Sequence, residues 1–111
     1  MSPNQQLVLV TTVPPEHLDA VLQAISTAGA GVVGEYSECA FISVGTGRFR
    51  ASRGSNPAYG ERGQLNEVEE VRLETWVERD RAREVIAALR GAHPYEEPVI
   101  YLIPLLNEAD L

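Results

Sequence analysis

LVLVTTVPPEHLDAVLQAISTAG (residues 7–29) and VRLETWVERDRAREVIAALRGAH (residues 71–93) overlay at an offset of 64 positions with their apolar residues in register. In the first copy Leu7, Leu9, Thr11 and Val13 alternate, and Leu18, Val21, Leu22, Ile25 and Ala28 then recur at helical spacing. The second copy repeats this as Val71, Leu73, Thr75 and Val77, followed by Ala82, Val85, Ile86, Leu89 and Ala92. A period of two giving way to one near 3.6 marks a strand followed by an amphipathic helix, and its recurrence marks a repeated β-α unit.

Punctuation agrees. Pro14 or Pro15 suits a first helical turn, Glu16 and Asp19 favour its positive end, and Gly29 and Gly91 are placed to stop the two helices. YSECAFISV (36–44) reads as a strand between the copies and VIYLIPL (99–105) as a strand after the second. The order β-α-β-β-α-β is the α+β, ferredoxin-like sandwich, an antiparallel sheet with both helices on one face. Leu7, Leu9, Val71 and Leu73 should face the helices. Val8, Val10 and Thr12 then share the bare face with Glu70, Arg72, Glu74 and Trp76. A bare face of this mixed character, with a tryptophan, is expected to be buried against another copy of the chain, and Glu70, Arg72, Glu74 and Trp76 are its expected interface residues.

With 111 residues and 44% hydrophobic content, the chain supports one compact core, so residues 1–111 are read as a single domain. Sixteen acids against nine bases give a net charge of −7, which disfavours nucleic acid and anionic membrane surfaces as partners. The lone Cys39 has no internal disulfide partner, and MSPNQQLVLV lacks the basic flank and apolar core of a secretory signal, so a cytoplasmic location is expected. The longest apolar run, residues 99–106, falls well below the roughly 20 residues needed to span a bilayer.

Between the second and third strands, residues 45–66 read as a long loop carrying five glycines and Arg48, Arg50, Arg53 and Arg62. Such a loop can close over a small anionic ligand, dock on a protein partner, or form a solvated flap. No phosphate-loop motif accompanies it.

GAHPYEEP (91–98) admits two readings. As a site, His93, Tyr95, Glu96 and Glu97 bind a ligand together with Arg48, Arg50 and Arg53, or His93, Glu96 and Glu97 hold a divalent transition metal with help from Cys39. As a joint, His93 caps the second helix, Pro94 ends it, and the glutamates lead into the last strand. The position favours a mixture, in which these residues line an inter-subunit cleft approached by the 45–66 loop. Ser37 and Ser43 have no motif-placed histidine, so nucleophilic catalysis is not indicated.

GEYSECAF, GTGRFR, GSNPAYG, EEVRLET and AHPYEEP, in that order, resemble the domain inserted in the middle of many bacterial Nif-three-like dinuclear-metal proteins, a domain similar to the trimeric CutA and PII folds. The resemblance covers residues 7–106 and implies a homotrimer with the long loop where PII proteins contact partners. The flanks that carry the metal ligands in the larger proteins lie outside this sequence, so the resemblance implies a stand-alone version of the insert, with no resident cofactor. Where the insert commonly has a histidine, this chain has Glu38. The expectation is a non-enzymatic trimeric binding or regulatory module for a small ligand or protein partner. The alternative is a metal-binding protein or metal-dependent enzyme built on His93 with Glu96 or Glu97.

Overall fold

The computed structural model describes residues 5–111, so residues 1–4 of the expected single domain lie outside the described part. The elements run β1 (Gln6–Val13), α1 (Leu18–Thr27), β2 (Ala40–Arg50), β3 (Leu65–Glu78), α2 (Ala82–Ala92) and β4 (Tyr101–Pro104), with a 3-10 turn leading into each helix and a third at Glu108–Asp110. The strands form one antiparallel sheet in the order β2-β3-β1-β4, and α1 and α2 pack side by side on one face. This is the β-α-β-β-α-β sandwich expected from the repeat.

The register shows why the repeat produces this sheet. β1 and β3 pair from Leu7↔Val77 to Val13↔Val71, with Val10 opposite Glu74 at the centre. Val10 and Glu74 are also equivalent positions in the two copies, so the two β-α units meet about a local twofold axis. Leu7, Leu9, Val13, Val71, Leu73 and Val77 enter the core, met by Val21 and Ile25 from α1 and by Ala82, Val85 and Leu89 from α2. Each large side chain removed from water here stabilises the fold by about 1.5–3 kcal/mol. Thr11 and Thr75 are buried among them at equivalent positions. The Thr75 hydroxyl donates to the Cys39 carbonyl at 2.7 Å, whereas the Thr11 hydroxyl has no partner among the described residues.

Four boundaries depart from the sequence reading, the first being the start of the second strand, which lies at Ala40 and not at Tyr36. The 45–66 segment is not a loop throughout, because β2 continues to Arg50 and β3 begins at Leu65, leaving residues 51–64 as the connection. The ladder runs unbroken from Ala40↔Thr75 to Arg50↔Leu65, and backbone pairing overrides the low strand preference of Gly45 and Gly47. Gly91 does not stop α2, which continues to Ala92 and ends at an extended His93, as the following proline requires. The last strand is four residues, shorter than residues 99–105.

β2 and β4 are the sheet edges, and both expose apolar residues. Val44 is 71% exposed although its partner Val71 is 4% exposed, since the helices cover the central strands and not this edge. Phe41 on β2 and Tyr101 and Ile103 on β4 are likewise exposed. No helix among the described residues is long and apolar enough to cross a membrane.

Candidate functional site

His93 is the joint of GAHPYEEP. Its backbone N–H bonds the Leu89 carbonyl at 2.8 Å and closes α2. Its ring Nδ1 accepts the Tyr95 backbone N–H at 3.1 Å, so the proton is on Nε2, which donates to the Thr12 carbonyl of β1 at 2.7 Å. Burial lowers the His93 pKa, opposed by the Thr12 contact and by the Glu70 carboxylate, so the ring is held neutral.

The residues beyond this joint line a cavity of about 460 Å³. Tyr95, Glu96, Glu97 and Val99 supply one wall, and Thr12 of β1 and Glu70 of β3 come up from the bare face of the sheet. The end of β2 gives Arg48, Phe49 and Arg50, and the 51–64 connection folds back with Ser52, Ser55, Pro57, Ala58 and Tyr59. The cleft thus forms within a single chain, with His93 behind it.

Two ties hold the connection down. The Asn56 N–H donates to Glu96 Oε2 at 2.9 Å, and the Tyr59 hydroxyl donates to Glu16 beside α1. The second contact holds the Glu16 carboxyl below its usual pKa and pushes the Tyr59 hydroxyl up. Within the connection, Arg62 reaches the Arg53 and Ser55 carbonyls, and Asn66 binds Glu61 and Gln64. Rings run from one helix to the other: His17 meets Tyr59 edge-on at 6.5 Å, Tyr59 meets Tyr95 at 6.0 Å, and Tyr95 tilts against His93 at 4.8 Å.

Tyr95 and Glu70 meet at the base. The Tyr95 hydroxyl is buried without a hydrogen-bond partner among the described residues. Burial first, then the nearby Glu70 carboxylate, raises its pKa far above the usual tyrosine value, and Glu70 does so from outside hydrogen-bond geometry. Glu70 fits here because position 47 is glycine: a Cβ there would lie 1.8 Å from Glu70 Oε1.

Of the residues singled out from sequence, the structure gathers Arg48, Arg50, Tyr95, Glu96 and Glu97 around this cavity and leaves out Arg53, whose side chain is exposed. Cys39 sits at the other end of β2, its thiol facing the Ser37 carbonyl at 3.8 Å. The set His93, Glu96, Glu97 and Cys39 does not fit a metal: both His93 nitrogens are committed, and no group of three or more potential ligands forms among the described residues. Arg72 pairs with Glu74 at 2.8 Å within the chain, with Glu70 turned into the cavity instead. Thr12, Phe49 and Tyr59 were not legible as site residues. Only the β2–β3 register, which places Gly45 opposite Glu70, could have pointed to this end of the sheet.

The architecture is that of the CutA/PII-like domains. The periplasmic divalent cation tolerance protein CutA from Archaeoglobus fulgidus superimposes with a TM-score of 0.67 over 92% of this chain and 85% of that one, at 17% identity, a likeness of fold alone. Within that class, the chain is a version of the CutA/PII-like domain found in NIF3-related proteins. It is 47% identical over 102 residues to the GTP cyclohydrolase 1 type 2 homolog of Halalkalibacterium halodurans, covering 92% of this chain and 27% of the relative. The Bacillus subtilis homolog is 44% identical over 97 residues, 87% of this chain and 26% of that protein. A Bacillus cereus protein related to NIF3 superimposes with a TM-score of 0.83 at 41% identity, over 96% of this chain and 27% of that one. The chain thus spans about a quarter of the length of the curated relatives it matches. No protein-family model matches it.

Proposed function

We propose that this chain is a non-enzymatic binding or regulatory module that assembles as a homotrimer and takes a small ligand in the cavity beside His93. The observation that carries this reading is the convergence of Arg48, Arg50, Tyr95, Glu96 and Glu97, distant in sequence, on one cavity roofed by a tied-down connection. A cavity of about 460 Å³ is within the size range of small-molecule sites. His93, with both ring nitrogens bonded, and Tyr95, which stays protonated, are not free to carry a proton transfer in this cavity. Assembly is supported by the apolar residues on both edge strands, Phe41 and Val44 on one and Tyr101 and Ile103 on the other, which a second copy would cover.

Native mass spectrometry of untagged protein tests both halves. The expected species has three times the 12.1 kDa chain mass, and Trp76→Asp shifts it towards monomer. Protein isolated without denaturation should carry a small mass excess per chain that disappears in Ala58→Trp, which fills the cavity. A monomer at micromolar concentration defeats the assembly, and an unaltered excess in Ala58→Trp removes the ligand from this cavity.

A further inference from the structure

The two arginines of the cavity suggest an anion, yet carboxylates outnumber them. Arg50, bound to the Gly63 carbonyl at 2.8 Å, stays cationic, since a carbonyl does not neutralise a guanidinium, but Arg48 is paired with Glu67 at 3.3 Å. Neither is paired with Glu70, Glu96 or Glu97, which all line the cavity. Glu96 uses one oxygen for the Asn56 N–H, Glu97 is exposed, and Glu70 lies beside the unpartnered Tyr95 hydroxyl.

From this arrangement we infer that the cavity binds a small organic cation, a primary amine on a flat apolar body. This inference rests on the reading of the cavity as a ligand site. An ammonium group offers N–H donors and no acceptor, which matches a carboxylate and a buried phenolic oxygen side by side. Tyr59 and Tyr95, edge to face at 6.0 Å, and the nearby Phe49 supply apolar area for the ligand body and aromatic surfaces that attract a cation. Glu96 and Glu97 raise the local concentration of cations at the mouth.

The test is a matched series of phenethylamine, its neutral N-acetyl form, and hydrocinnamate, each titrated into the full chain and followed by two-dimensional amide NMR. Phenethylamine should shift the Thr12, Glu70, Tyr95 and Glu97 amides saturably and bind about tenfold tighter than the acetyl form. Glu70→Gln should weaken it by about tenfold, as should Glu97→Gln, whose exposed position leaves folding intact. Hydrocinnamate binding at these amides in place of the amine, with loss in Arg50→Gln, overturns the cation and leaves the ligand site standing. No shift at these amides with any of the three overturns both.

Discussion

The two β-α units bury the same positions and finish differently. After α1 the chain turns on Gly29, with φ +113°, and its N–H bonds Ser26 while the Ala30 N–H bonds Ile25, the hydrogen-bond pattern of a Schellman turn. The chain then returns to the sheet, where the Gly31 N–H bonds the Trp76 carbonyl of β3 at 2.7 Å. The position equivalent to Gly29 is His93, and the carbonyl equivalent to that of Trp76 is that of Thr12, which the imidazole Nε2–H bonds at 2.7 Å. A ring N–H does in one unit what a main-chain N–H does in the other. The second unit is thereby freed from making a glycine turn, and the chain runs extended through Pro94 into the cavity wall.

The shared part of the comparison should show the largest effects. Ile25→Ala and Leu89→Ala, at equivalent core positions with almost no exposure, should each cost about 2–5 kcal/mol in chemical denaturation. A much smaller cost for one of them would mean that the units are not packed equivalently. The divergent ties come next. Gly31→Ala puts a Cβ 2.9 Å from the Cys39 backbone at a φ of +84°, and should cost about 2–3 kcal/mol. His93→Ala leaves the Thr12 carbonyl without its donor and should cost about 1–3 kcal/mol, while His93→Gln, which keeps a donor, should cost about 1 kcal/mol.

The buried threonine pair sharpens the contrast further. Thr75→Val removes the bond to Cys39 and should destabilise by about 1 kcal/mol, whereas Thr11→Val removes a hydroxyl without a partner and should stabilise by about 1 kcal/mol. The smallest effect is on pH dependence. Because the folded-state pKa of His93 is lowered, the unfolded chain binds a proton that the folded chain resists. Stability from this group is complete above the unfolded value of about 6.5 and declines as pH falls through it towards the lower folded value. Denaturation midpoints across that window should fall more steeply for the wild type than for His93→Gln, and identical slopes would remove this group from the account.

The body of the fold was legible because its determinants are local: Leu7, Leu9, Val71 and Leu73 alternate, and Val21, Ile25, Val85 and Leu89 recur on one helix face. The end of β2 was not, because GTGRFR has no alternation and becomes a strand only by pairing with residues 65–70. That ladder moves Arg48 and Arg50 from a loop onto a strand, where Glu67 and the Gly63 carbonyl engage them. GAHPYEEP was legible as a junction with polar residues beside it. The division of labour within it was not, because it depends on the Thr12 carbonyl, 81 positions away in sequence.

The strand order β2-β3-β1-β4 also dictates a sequence of events during synthesis. β1 leaves the ribosome first, yet both strands that flank it, β3 and β4, are made later. The β2–β3 hairpin closes across a connection of 51–64, while the β1–β3 ladder spans the chain from Gln6 to Glu78. Until then β1 stands with both edges open, and the nascent chain presents an apolar strand to its surroundings for the time taken to add the next sixty or so residues, roughly 3–12 s at ordinary translation rates. The period of greatest vulnerability for this domain therefore falls before its third strand exists.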